Sequence, residues 1–258
     1  MVQRVIEIVH EASRYMNEDI EITQKGNDSN FVTTADVNVQ KYLEQHLLEL
    51  LPGSRFIGEE DEDLAEIREY MWVVDPIDGT SNFIRGIGAS VVSVGLMKDG
   101  KPYLGVIYDP YKKETFWAER GKGMFVNGTK VTASDRDFRH SLLGIAASVY
   151  NKDLAGPCFR IMERVYLESD DFRRFGAAAL EMAYLAAGRL DIYFEMRLFP
   201  WDMAAALIMI EEAGGVYEIL FEDGLPLDRP AGIIAANNEE NLAKLRKITY
   251  EEIPEKLY

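Results

Sequence analysis

Apolar residues recur along the chain at two periods, and the switches between them outline the elements. Val5, Ile8, Val9, Ala12 and Met16 fall at helical spacing and predict an amphipathic first helix ending near Asn17. Ile20–Ile22 reads as a short strand, and Lys25–Asn30 as a polar loop of turn residues. A second helix is expected after Phe31-Val32-Thr33-Thr34-Ala35-Asp36, with Asp36 as its N-cap, Val39, Leu43, Leu47 and Leu50 on its apolar face, and Pro52-Gly53 closing it. β-Rich runs then follow at Arg55–Ile57, Met71–Val74, Ala89–Met97, Tyr103–Tyr108 and Thr115–Ala118. Lys98-Asp99-Gly100-Lys101 has the composition of a hairpin, and Gly121–Gly128 that of tight turns within a sheet. Further on, Ser141–Ala147, Asp191–Glu195, Val216–Leu220 and Ile233–Ala236 read as strands. Leu154–Leu167, Ala177–Ala187 and Met203–Ala213 read as helices, the second ended by Gly188 and the third by Gly214-Gly215. This interleaving predicts an α/β structure of the α+β type, layered with mixed sheets rather than a Rossmann fold.

One stretch stands out, Met71 to Phe83, which reads M-W-V-V-D-P-I-D-G-T-S-N-F. Pro76 cannot donate to a ladder, so the strand is expected to stop there and present Asp75 at its end. Asp78 lies three residues on, and Gly79-Thr80-Ser81 opens a short helix. Two carboxylates beside the free N–H groups of a helix start suit a Mg²⁺-bound phosphate, because Mg²⁺ takes hard oxygen ligands and the helix end donates to the same anion. An ordinary acidic turn is the plainer reading of the same residues. Two other acidic points are equally open. Glu59-Glu60 ends a strand but also begins a run of acids through Glu69, and Asp202 starts a helix where a capping acid is common.

Composition narrows the choice. The 258 residues are 47% hydrophobic and 28% charged, ample for a large core, and the net charge of −16 argues against a nucleic-acid backbone or an anionic membrane as partner. If the substrate is a phosphate ester, bound cations must reverse that field locally. Cys158 is the single cysteine, which excludes an intrachain disulfide and a thiolate metal cluster. The N-terminus is amphipathic and charged, and no apolar run approaches a membrane span, so a cytoplasmic setting is expected. His10, His46 and His140 are scattered and give little support to a phosphohistidine intermediate.

Separated motifs in order make the chain resemble the inositol monophosphatase family, within the wider group of Mg²⁺-dependent, lithium-sensitive sugar and nucleotide phosphatases. They are Gly58-Glu59-Glu60, the Asp75–Phe83 string, the Gly123–Gly128 turn, Gly176-Ala177-Ala178-Ala179, and Trp201-Asp202-Met203-Ala204 with Glu212-Ala213-Gly214-Gly215. The resemblance spans nearly the whole chain and implies a layered αβαβα sandwich. It implies one domain over 1–258, with most metal ligands in a half ending about 140 and with Asp202 in the half beginning about 141. It further implies that Glu59, Asp75 and the Ile77 carbonyl hold one Mg²⁺. Asp75, Asp78 and Asp202 would hold a second ion, and a weaker third would lie near Glu59. Asp36, Glu59 and Thr80 would serve catalysis, with Asp36 and Thr80 orienting the attacking water. Asp78, Gly79, Thr80, Ala178, Glu195 and Asp202 would contact substrate, and Lys25 would sit on a mobile loop closing over the metals. A homodimer is implied too.

The chain departs from that pattern around the alcohol half of the substrate. Arg85 stands where histidine is usual, a following proline is absent around Gly88-Ala89, and Ala177 stands where serine or threonine is common. An inositol monophosphatase is therefore the leading expectation. Fructose-1,6-bisphosphatase, histidinol-phosphatase and 3′-phosphoadenosine 5′-phosphate phosphatase activities are the alternatives on the same fold, and a non-catalytic binding protein is the alternative in another class. Lys152, Arg173 and Arg174 are the basic residues that a second phosphate would need.

Overall fold

The computed structural model describes residues 1–17, 20–24, 31–61, 68–147 and 151–253. Lys25, expected on a loop over the site, lies outside the described residues.

The chain begins with α1 (Val2–Ala12), which buries Val5, Ile8, Val9 and Ala12 along one stripe. Strands β1 (Ile22–Gln24) and β2 (Phe31–Thr33) pair antiparallel and lead into α2 (Thr34–Leu50). Then follow β3 (Arg55–Gly58), β4 (Tyr70–Asp78), the single turn α3 (Thr80–Ile84), β5 (Val91–Lys98), β6 (Lys101–Asp109), β7 (Glu114–Glu119), β8 (Gly123–Val126) and β9 (Thr129–Val131). The later part of the chain runs through β10 (Leu142–Ala146), α4 (Ala155–Glu168), β11 (Asp171–Arg173), α5 (Ala178–Ala186), β12 (Ile192–Leu198), α6 (Pro200–Glu212), β13 (Val216–Leu220), β14 (Ala231–Ala236) and α7 (Glu239–Glu252).

Strands β3 to β9 form a seven-stranded sheet in sequence order, parallel at β3–β4 and antiparallel from there on. The second sheet has the order β11-β10-β12-β14-β13, with β10 parallel to both neighbours and β14 antiparallel to both of its own. Helices α1 and α2 cover one face of the first sheet through Val9, Val39, Leu43, Trp72, Val94 and Val106. Helices α5 and α6 fill the space between the sheets with alanine, leucine, isoleucine and methionine, and α4 and α7 cover the far face of the second sheet. The layers are thus αβαβα, with mixed sheets, as expected.

Helix α6 can lie this close because two facing strand positions carry no Cβ. A Cβ at Gly95 would stand 2.8 Å from atoms of Ala204, and one at Gly105 would overlap the Ala205 carbonyl oxygen. The small side chains Ala204, Ala205 and Ala206 complete that approach from the helix side.

Two expectations are corrected. Strand β4 does not stop at Pro76 but runs on to Asp78. Asp36 is not the N-cap of α2: Thr33 holds that place, and Asp36 sits at N3, closing a capping box with it.

Candidate active site

Residues 75 and 78 are an odd number of steps apart, so a regular strand would point them to opposite faces. The β4–β5 ladder pairs Asp75 with Ser93 and Asp78 with Val91, three steps on one strand against two on the other. The extra residue is a bulge, and it returns both carboxylates to one side. Pro76 fits there because the bulged position needs no ladder N–H. The Ile77 N–H donates to Asp75 Oδ1 at 2.9 Å, fixing the bulge from within. Asp78 reaches across to the central layer, where its oxygens accept N–H groups of Ala178 at 3.1 Å, Ala179 at 2.8 Å and Leu180 at 3.4 Å. Ala177, the N-cap residue of α5, has no side chain to do this, so the cap comes from β4.

Asp202 arrives from the start of α6. Pro200 opens that helix, and Asp202 accepts the Phe199 N–H at 2.7 Å. Asp202 lines the same cavity as Asp75, near enough for its charge to raise the Asp75 carboxyl. Glu59 follows β3, its N–H bonded to the Val74 carbonyl at 3.2 Å. Burial holds the Asp75 carboxyl well above the usual aspartate range, and the charges of Glu59, Asp78, Asp202 and Asp36 add to the shift. Asp202 is raised in the same way by burial and then by Asp78, and Asp78 is raised by burial despite its three N–H donors.

Asp36 stands behind this group rather than in the cavity wall. Its Oδ2 accepts the Thr33 N–H at 2.7 Å and the Thr33 hydroxyl at 2.6 Å, while Thr80 Oγ1 lies 3.5 Å from Oδ1. The Thr80 hydroxyl also reaches the Ile77 carbonyl at 3.0 Å. Burial pushes Asp36 up to about 6. Gly79 has φ +87, a left-handed conformation that suits glycine, and a Cβ there would stand 2.9 Å from the Ala89 carbonyl oxygen. Gly79, Thr80 and Ser81 form the rim where α3 begins and where the first N–H groups have no intrahelical acceptor.

These groups open on a cavity of about 350 Å³. Glu59, Asp75, Ile77, Asp78, Gly79, Thr80 and Asp202 form one end, and Ala178 and Glu195 border it as well. Glu195 Oε2 accepts the Tyr193 hydroxyl at 2.7 Å, and burial pushes its carboxyl up to about 8. Of the expected site residues, all but Asp36, one layer behind Thr80, and Lys25, outside the described residues, border this cavity. Of the three bases noted for a second phosphate, Arg174 lines the cavity and Lys152 and Arg173 do not, while Glu181 and Arg197, not singled out from the sequence, line it too. A signal for Glu181 exists in the sequence, since it is an acid near the start of an otherwise small and apolar helix.

The donor set is carboxylate and carbonyl oxygen, with no thiolate or imidazole in the cavity wall. Such hard oxygens suit Mg²⁺, and the mutual repulsion around Asp75 is what a divalent cation would relieve. Among the described residues no three of these side chains already close into an ion-sized cage, for Asp78 and Asp202 are turned toward the helix N–H groups that they cap. The oxygens fit the metal by type, and they border one cavity.

A layered α/β frame that gathers carboxylates from β3, β4 and α6 beside a glycine–threonine turn defines the class, a phosphatase. The inositol monophosphatase family model matches residues 1–253, and the chain belongs to that family. An inositol-1-monophosphatase of Rhizobium meliloti is 33% identical over 260 residues, covering 99% of this chain and 97% of the relative. The Nus factor SuhB of Escherichia coli K12 is 36% identical over 208 residues, covering 80% of this chain and 78% of the relative. In three dimensions the chain is similar to the extragenic suppressor protein suhB of Bartonella henselae, with TM-score 0.88, 34% identity and coverage of 98% and 99%. It is also similar to an IMPase of Thermotoga maritima, with TM-score 0.83, 27% identity and coverage of 97% and 96%.

Proposed function

We propose that the protein is a Mg²⁺-dependent phosphomonoesterase that hydrolyses inositol monophosphates, inositol 1-phosphate first among them, to inositol and phosphate. The observation that carries this reading is the gathering of Glu59, Asp75, Asp78 and Asp202 at one end of one cavity, where burial and their mutual charges raise the Asp75 and Asp202 carboxyls. Glu59, Asp75 and the Ile77 carbonyl would hold one Mg²⁺, and Asp75, Asp78 and Asp202 a second, with a weaker third near Glu59. When bound, the ions neutralise phosphoryl charge and lower the proton affinity of water.

The chain's own groups do the rest. Asp36 and Thr80 form the pair that orients the attacking water, because the Thr33 N–H and hydroxyl fix Asp36 and Thr80 stands between Asp36 and the cavity. The N–H groups of Gly79 and Thr80 hold the phosphate at the start of α3. Glu195, with its Tyr193 partner, takes a hydroxyl of the leaving alcohol. The first N–H groups of α5, starting at Ala178, border the same alcohol. Lys25 acts from a loop over the metals. Two copies are expected to pair in solution, which sedimentation velocity tests, and lithium is expected to inhibit turnover.

The test is phosphate release from inositol 1-phosphate, fructose 1,6-bisphosphate, histidinol phosphate and 3′-phosphoadenosine 5′-phosphate, with Mg²⁺ and with a chelator. Mg²⁺-dependent preference for inositol 1-phosphate is expected. Arg174 and Arg197 in the cavity wall favour a second reading, a leaving group that carries its own anion, and preference for the bisphosphate would establish it. A non-catalytic binding role calls instead for silence across the panel.

A further inference from the structure

Within the alcohol side of the cavity, one buried acid has no part in the roles above. Glu181 is 1% exposed, on the first turn of α5. Its Oε1 accepts the N–H groups of Phe175 at 2.8 Å and Gly176 at 2.9 Å, while its Oε2 is buried with no hydrogen-bond partner. The same short segment is gripped from its carbonyl side by Asn82, whose Nδ2 donates to Phe175 O at 2.7 Å and Gly176 O at 3.3 Å. Gly176, at φ +75, supplies the left-handed turn between the two grips. Residues 174–176 are therefore held on both polar edges, although they belong to no helix or strand of the described residues.

What that segment carries into the cavity is Arg174. Its guanidinium is exposed, and it acts electrostatically on both Glu181 and Glu195. An apolar residue at 181 would leave the Phe175 and Gly176 N–H groups without their acceptor and would free the backbone that places Arg174 in the cavity wall. A buried acid with one oxygen lacking a partner is a costly way to tie a loop. The placement has a chemical use: Arg174 and Glu195 line the same cavity, one a donor and the other an acceptor for hydroxyls of a leaving alcohol.

We propose that Glu181 is a specificity-determining positioning residue: by gripping the Phe175 and Gly176 N–H groups it fixes the backbone that carries Arg174 on the cavity wall shared with Glu195, so that the cavity selects a polyhydroxylated leaving alcohol. The inference rests on the phosphatase reading and says which alcohols that site prefers.

Its test is a selectivity ratio measured on the full chain with saturating Mg²⁺. The ratio is kcat/KM for inositol 1-phosphate over kcat/KM for p-nitrophenyl phosphate, whose leaving group has no further hydroxyls. Glu181→Ala lowers that ratio about tenfold, chiefly through KM for the polyol ester, the scale of one hydrogen-bonded arrangement lost. Glu181→Gln, whose amide oxygen still accepts both N–H groups, restores it to within about twofold of wild type. Should the alanine variant fail to fold, Arg174→Ala, at an exposed side chain, gives the same fall in ratio. An active wild type with an unchanged ratio in the variants that fold, including equal losses on both esters, overturns the inference alone. A wild type that releases phosphate from neither ester overturns the phosphatase reading, and this inference with it.

Discussion

Asp78 serves two structures at once, as cap of α5 and as candidate ligand, and the two uses can be separated by one atom. An asparagine at this position would still offer an oxygen to the Ala179 N–H but would bring no charge to a cation. Asp78→Asn is therefore expected to cut phosphate release by about a hundredfold or more, with little change in thermal unfolding, because a metal ligand is lost while the helix stays capped. Retention of near-normal turnover would remove Asp78 from the metal site. Glu181 and Glu195 make a second residue-scale expectation, in pH. Burial holds them protonated up to about 7 and about 8 in the folded chain, against 4.5 for an ordinary glutamate. Between those values the folded state binds more protons than the unfolded one, so stability falls as pH rises. Thermal unfolding of protein stripped of divalent cations should move to lower temperature from about pH 5 to about pH 8, and Mg²⁺ should reduce the fall by binding the deprotonated folded state.

At the scale of elements, α6 is what delivers Asp202 to Asp75, and its approach rests on Gly95 and Gly105. Gly105→Ala would drive a Cβ against the Ala205 carbonyl. The variant is expected to lose about 2 kcal/mol in urea unfolding, as an overpacked contact does, and to lose turnover because α6 moves away from β4. The helices and strands around this contact were legible from periodicity, since α1, α5, α6 and the hairpin β5–β6 follow their apolar patterns closely. The bulge was not. A proline after a β-branched run reads as a strand end, and only pairing with Val91 shows that β4 resumes beyond it. Helix α7 was missed for a different reason: its surface is mostly charged, and only Leu242, Leu245 and Ile248 mark a narrow apolar stripe. The N-cap of α2 fell three residues before its expected place, because both Thr33 and Asp36 are acceptable caps and propensity alone does not rank them. Glu59, Asp75, Asp78, Glu195 and Asp202, which border the cavity, were legible as a set through the family resemblance. Glu181 was not, because its grip on Phe175 and Gly176 depends on a loop conformation that no periodicity encodes.

Over the whole molecule, a net charge of −16 surrounds the cavity. On the proposed reading the field of the surface opposes the approach of a phosphate ester, while bound cations at the cavity floor and Arg174 and Arg197 in its wall would attract it. With Mg²⁺ kept saturating, kcat/KM for inositol 1-phosphate is expected to rise as ionic strength goes from about 20 to about 150 mM, because salt screens the distant repulsion more than the short-range attraction. A fall over that range would mean that the field near the cavity mouth is already positive. The described residues contain no helix long and apolar enough to cross a membrane.

The cap that Asp78 provides also bears on the timing of assembly. Glu59, Asp75 and Asp78 belong to a sheet whose strands pair largely with their neighbours in sequence, an arrangement that can form early on a growing chain. The N–H groups that steady Asp78 come a hundred residues later, and Asp202 later still. Until then the nascent sheet carries its acids without their helix partners, so the site closes only when the central helices arrive and pack against it.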